Sequence, residues 1–74
     1  MNFVELEKNV WINPEMIVAM TVKEVAPKII RIEIYTTIDK EYPFFEKKCQ
    51  TMEEAKEWVK KILKEAKKIN GENV

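Results

Sequence analysis

Residues 16–36, MIVAMTVKEVAPKIIRIEIYT, decide what kind of fold this chain can adopt. From Ile29 to Thr36, apolar and polar side chains alternate. Ile30, Ile32, Ile34 and Thr36 fall on one side, and Ile29, Arg31, Glu33 and Tyr35 on the other. A period of two is the mark of a strand, because successive side chains of extended backbone point to opposite faces. The preceding MIVAMTV, residues 16–22, is apolar on both sides. Met16, Val18, Met20 and Val22 oppose Ile17, Ala19 and Thr21, which predicts a strand in a central position. Between the two, KEVAPK (23–28) reads as a loop broken at Pro27.

Upstream, residues 2–7 alternate as a strand, with Val4 and Leu6 opposite Glu5 and Glu7. Lys8-Asn9 fits a two-residue hairpin loop, since asparagine tolerates positive φ, and Val10-Trp11-Ile12 returns as a short strand. Asn13-Pro14 then makes a corner, with Asn13 bonding the turn backbone and Trp11 expected to cover the end of the sheet. Downstream, residues 37–40 turn the chain and Glu41 to Lys47 returns as a strand. Pro43 cannot donate to a ladder, so it belongs at a sheet edge or a bulge.

Thr51-Met52-Glu53-Glu54 has the pattern of a capping box and opens a helix. Met52, Ala55, Trp58, Val59, Ile62, Leu63, Ala66 and Ile69 form its apolar stripe, acidic residues lead it, lysines close it, and Asn70-Gly71 stops it. The expectation is an α+β fold: a small antiparallel sheet of four to five strands with one C-terminal amphipathic helix packed on one face. It is a single domain over 1–74, with strands within 2–47, a helix over about 51–69 and a short frayed tail at 70–74.

At 74 residues the chain buries only about 60% of the surface its unfolded form exposes. Small folds often add a disulfide or a metal, but one cysteine, Cys49, and no histidine give neither an internal disulfide nor a zinc set. Thirteen basic and thirteen acidic residues give zero formal net charge, so no general attraction to nucleic acid or anionic lipid follows. The segment MNFVELEKNV lacks a basic apolar leader, and no apolar run approaches the ~20 residues that span a bilayer. A cytoplasmic location is the expectation, with no membrane partner.

The catalytic inventory is thin. Without serine or histidine, and with one aspartate (Asp39), one arginine (Arg31) and one cysteine, no Ser–His or Cys–His nucleophile pair can form within the chain. One glycine excludes a Gly-rich phosphate loop. The expectation is therefore a non-enzyme with no cofactor, no metal and no small-molecule ligand. Cys49 sits after Lys47-Lys48 and ahead of the helix, where a thiol can be activated, but its ordinary role there is a small, partly buried packing residue.

Two surfaces remain. Lys56, Lys60, Lys64, Lys67 and Lys68 run along one side of the helix and could follow a phosphate backbone. Glu57 with Lys61 and Glu65 with Lys68 make ordinary helix pairs, and no aromatic residue interrupts the stripe, so a solvated face is the simpler reading. The second surface is the sheet face the helix leaves uncovered. Ile17, Ile29, Tyr35, Tyr42, Phe44 and Phe45 are its candidate contact residues. Either that apolar set meets a protein, most simply a second copy in a homo-oligomer, or strong twist curls the strands into a partial barrel that buries it.

The order of Ile12-Asn13-Pro14-Glu15-Met16-Ile17, Ile34-Tyr35-Thr36-Thr37 and Glu53-Glu54-Ala55 resembles the small bacterial FlbD/SwrD-like proteins linked to flagella and swarming. The resemblance spans about residues 3–63. It departs in having no glycine in either hairpin, extra residues around 23–28 and a longer helix. It implies a small sheet-plus-helix shape and a non-enzymatic role, with no catalytic residues to carry over. The expected function is a protein-interaction or adaptor module acting through a sheet face or an edge strand, as a motility-associated protein or a phage or plasmid accessory. The alternative is a weak nucleic-acid-binding regulator that uses the helix lysines.

Overall fold

The computed structural model describes residues 3–71, with side chains through residue 67. The order is β1 (Val4–Glu7), β2 (Val10–Ile12), a 3-10 turn (Pro14–Met16), β3 (Ile17–Ala26), β4 (Ile29–Thr36), β5 (Phe45–Cys49) and α1 (Met52–Gly71). The fold is α+β: antiparallel strands with one C-terminal helix packed against them. The five strands do not make one sheet. β1 and β2 form a separate hairpin, and the other sheet has the order β3-β4-β5.

The strand predicted to be central is therefore an edge. β4 takes the centre, and β3 pairs only with it among the described residues. The apolar second side of β3 arises otherwise. A register shift between Ile17 and Ala19 puts Ile17 opposite Thr36 on the helix side, beside Met20 opposite Ile34 and Val22 opposite Ile32. Val18, at the shift, is exposed. A bulge inserts one unpaired residue and re-aims what precedes it, so a strict alternation count fails across it.

β3 also runs on through KEV to Ala26, where a loop was expected. Ala26 lies opposite Ile29, leaving Pro27-Lys28 as a two-residue connection. Proline fixes a negative φ at the first position and Lys28 adopts φ 62°, the signs of a type II turn. Lys23 and Glu24 can occupy the strand because an edge need not be buried. At the other end of the sheet the return strand starts late, at Phe45 rather than Glu41. Asp39 Oδ1 accepts from the N–H groups of Glu41 (2.9 Å) and Tyr42 (3.1 Å), holding them in a turn. Pro43 then has no donor to offer, and the Phe44 N–H reaches the Ile34 carbonyl at 2.8 Å.

The N-terminal hairpin follows its turn chemistry. Asn9 adopts φ 67°, and Asn13 Oδ1 accepts from the Glu15 N–H at 3.0 Å, as expected of an Asn-Pro corner. Val4, Leu6 and Ile12 point inward, whereas Trp11, opposite Glu5, lies on the outer side and is half exposed. It does not cover the sheet end, because Ile12 takes the inward position of that short strand.

Helix α1 begins as its sequence predicts. Thr51 Oγ1 accepts from the Glu54 N–H at 3.1 Å, while the Glu54 carboxylate reaches back one residue further than a standard box, to the Gln50 N–H at 3.3 Å. Met52, Ala55, Trp58, Val59 and Ile62 pack against the strands. Leu63, counted in the stripe, is instead half exposed. The helix continues through Asn70 to Gly71; the Ile69 side chain and the tail at 72–74 lie outside the described residues.

Two clusters form the interior. Near the helix start, Ile30, Ile32 and Ala55 pack with Val22, Cys49, Met52 and Val59. Towards its end, Ile34, Phe45 and Ile62 join Val4, Leu6 and Ile12 of the hairpin, and Trp58 bridges both clusters. Helix and hairpin thus cover the same sheet face together. No closed barrel forms among the described strands. The hairpin supplies the apolar cover that one helix could not.

A candidate interaction surface

The face of β3-β4-β5 turned away from the helix carries rows set by register. Ala19 lies opposite Tyr35; Thr21, Glu33 and Glu46 form the next row; Lys23, Arg31 and Lys48 form the one after. Ile29 ends the face beside the β3–β4 turn. Like charges stand directly opposite in the basic row and in the Glu33–Glu46 pair, an arrangement that disfavours cross-strand pairing unless diagonal partners offset it.

Glu33 provides the offset. It is buried, although it sits on the uncovered face. Oε1 receives the Lys23 ammonium at 3.2 Å and the Thr21 hydroxyl at 3.1 Å, and Arg31 Nη1 stands 3.9 Å from Oε2. The Lys23 hydrogen bond holds the Glu33 carboxyl below its ordinary pKa; desolvation opposes this, and Thr21 and Arg31 add to the lowering. Arg31 Nε is buried without a hydrogen-bond partner, so the guanidinium is only partly satisfied by its neighbour. In the sequence, Glu33 shows only as one of the residues alternating with Ile30, Ile32 and Ile34. Its partners become visible only once Thr21 and Lys23 are placed beside it by the β3 register.

The sign of the pH effect follows. Because folding lowers the Glu33 pKa, its contribution to stability is complete above the ordinary carboxylate value and is lost as pH falls through the lowered one. Denaturant midpoints measured from pH 7 downward should fall for the native chain and fall less for Glu33→Gln. Parallel curves for the two proteins would show that the carboxylate is not selectively stabilised in the fold.

The structure divides the six candidate contact residues. Ile29, Tyr42 and Phe44 are exposed and Tyr35 is half-buried. Phe45 is buried and stacks on Trp58 at 5.9 Å between ring centroids, 12° from parallel. Ile17 packs against the same cluster. Phe45 is thus an interior residue, and Ile17 is half-buried against the hairpin cluster. Ile29 lies at the far end of the sheet from Tyr42 and Phe44, so the exposed members do not form one patch; Ile38 is exposed in the same loop as Tyr42.

On α1, Lys56, Lys60, Lys64 and Lys67 are exposed, with Glu57 beside Lys60 at 3.9 Å; the Lys68 side chain lies outside the described residues. A shallow groove at the helix start is lined by Thr51, Glu53, Glu54, Glu57, Trp58 and Lys61. Lys47 lies 5.8 Å from the Trp58 ring centroid, within cation–π range. Cys49 is half-buried against Ile30, Ile32 and Ala55, in keeping with a packing role. Among the described residues no three His, Cys, Asp or Glu side chains come together in a metal-binding group, and no helix is long and apolar enough to cross a membrane.

The feature that sequence reading missed is the β3 edge itself. Ile34 directs its carbonyl to the β5 side, where the Phe44 N–H meets it. Backbone groups alternate along a strand, so Arg31 and Glu33 turn theirs to β3 and are answered by Lys23 and Thr21. Met20 and Val22 then direct their N–H and C=O groups out of the free edge. The long apolar run in 16–22 suggested burial between strands, when half of it is instead an unpaired edge. No family model matches this chain, and no curated protein or solved structure shows significant similarity to it.

Proposed function

We propose that this chain is a small non-catalytic interaction module that offers the β3 edge and the adjoining uncovered sheet face to a protein partner. One observation carries the reading: a ten-residue strand, Ile17–Ala26, has no strand on its outer side among the described residues. An open edge is a row of unpaired donors and acceptors that another extended chain can complete, and many peptide-recognition domains use it. The exposed Ile29 beside the β3–β4 turn and Val18 at the bulge supply apolar contacts along that side. The FlbD/SwrD-like resemblance supports the same non-enzymatic role, and a reducing cytoplasm suits the single thiol.

The test is a comparison of baits. Immobilised native protein and a Val18→Lys, Ile29→Lys variant, both checked for the native circular dichroism, are exposed to lysate from the source cell. Proteins retained by the native bait and lost from the variant support the reading. Identical retention would reject this side of the sheet as the docking surface.

A further inference from the structure

We propose that the occupant of the β3 edge is a second copy of this chain, paired antiparallel through residues 19–23 about a two-fold axis at Thr21. The inference rests on the edge being a docking surface and adds what docks there.

The two edges of the sheet differ. β5 presents Glu46, Lys47 and Lys48 in a five-residue strand, the short, charged edge that discourages pairing. β3 offers Ala19, Met20, Thr21 and Val22 without a charge, between register shifts at Ile17/Ala19 and Glu24/Ala26. Those shifts limit a regular ladder to residues 19–24, and a two-fold pairing of one edge closes on itself instead of growing into a filament.

The segment is complementary to itself in that register. Around an axis at Thr21, Met20 of each copy lies opposite Val22 of the other, and these are the residues whose N–H and C=O groups point outward, so each pair exchanges two hydrogen bonds. Met20 packs against the Ile34 cluster and Val22 against the Ile32 cluster, both half-buried. Pairing continues each protomer's interior across the edge, with apolar side chain on apolar side chain. On the other face Thr21 meets Thr21, and Lys23 meets Ala19, so no like charges are opposed. The zero formal net charge of the chain adds no overall repulsion between copies. Five residues a side make a small interface, so the dimer should be concentration-dependent.

Two measurements test this. Light scattering over roughly 10 μM to 1 mM should show the mass rising from 8.8 kDa towards twice that value. Val22→Pro removes an N–H that makes no bond among the described residues, so the variant should stay folded by circular dichroism yet remain at monomer mass. In a Cys49→Ala background, Thr21→Cys should oxidise to a disulfide-linked dimer, because directly opposed non-hydrogen-bonded positions bring Cα atoms to about 4.5 Å, within the range a disulfide spans. Lys28→Cys, at the remote turn, should not. A monomer mass throughout overturns the inference. So does a dimer that Val22→Pro leaves intact or that Thr21→Cys fails to link. In these cases the bait comparison still decides separately whether another protein uses the edge. Should Val22→Pro unfold, the cysteine pair decides alone.

Discussion

Phe45→Ala is expected to cost about 3–5 kcal/mol, while Phe44→Ala should stay within about 0.5 kcal/mol. The two rings are adjacent in sequence and opposite in fate. Phe45 is 9% exposed, stacks on Trp58 and contacts the hairpin cluster, so its loss leaves a cavity lined by three elements. Phe44 is 53% exposed, and its structural contribution is a backbone N–H to Ile34 that alanine retains. A 74-residue domain has about 4–11 kcal/mol of total stability, so the first change removes a large part of it. At roughly 4–8 °C per kcal/mol, melting should fall by more than about 10 °C for Phe45→Ala and hardly at all for Phe44→Ala. Equal effects would mean that the register at the start of β5 is wrong.

Ile62→Ala should cost about 2–5 kcal/mol, and Leu63→Ala about 1 kcal/mol or less. Ile62 is 1% exposed where helix, hairpin and sheet meet; Leu63 is 52% exposed on the flank of the helix. Chemical denaturation of the two variants checks this, with the midpoint shift of Ile62→Ala several times that of Leu63→Ala. If Leu63→Ala were the costlier, the helix would be rotated by about one residue, some 100°, from the orientation described. A rotation of that size would also pull Trp58 out of its stack on Phe45.

Both pairs show how far local pattern reaches. The helix was legible because its cap, charges and apolar spacing all lie within one segment. Thr51 and Glu54 act at the predicted end, and Met52, Ala55, Trp58, Val59 and Ile62 pack as predicted. Leu63 escaped because the eight residues of the stripe cover a wider arc of the helix than a single helix buries against a narrow sheet, and Leu63 lies at the border of that arc. The alternation in β4 was equally readable, since Ile30, Ile32, Ile34 and Thr36 are all buried. Of the candidate contact residues, Ile29, Tyr42 and Phe44 are exposed, while Ile17 and Phe45 pack into the hairpin cluster. Each stands where strict alternation breaks down: Ile17 before a bulge, and Phe45 after a turn held by Asp39 and ended by Pro43.

By itself, the sequence determined the identity of the elements and the chemistry of the turns: Asn9 at positive φ, the Asn13-Pro14 corner, the Thr51 cap and the alternating face of β4. These depend on backbone sterics and on hydrogen bonds between near neighbours, so each segment carries its own information. Tertiary structure alone decided that the strands divide as two and three, that β3 lies at an edge and that Glu33 is enclosed by Lys23, Thr21 and Arg31. Those outcomes depend on which strand lies beside which and in what register. A strand apolar on both sides fits a central place or an edge interrupted by a bulge equally well, and only the pairing of β4 with both β3 and β5 put β3 at the edge.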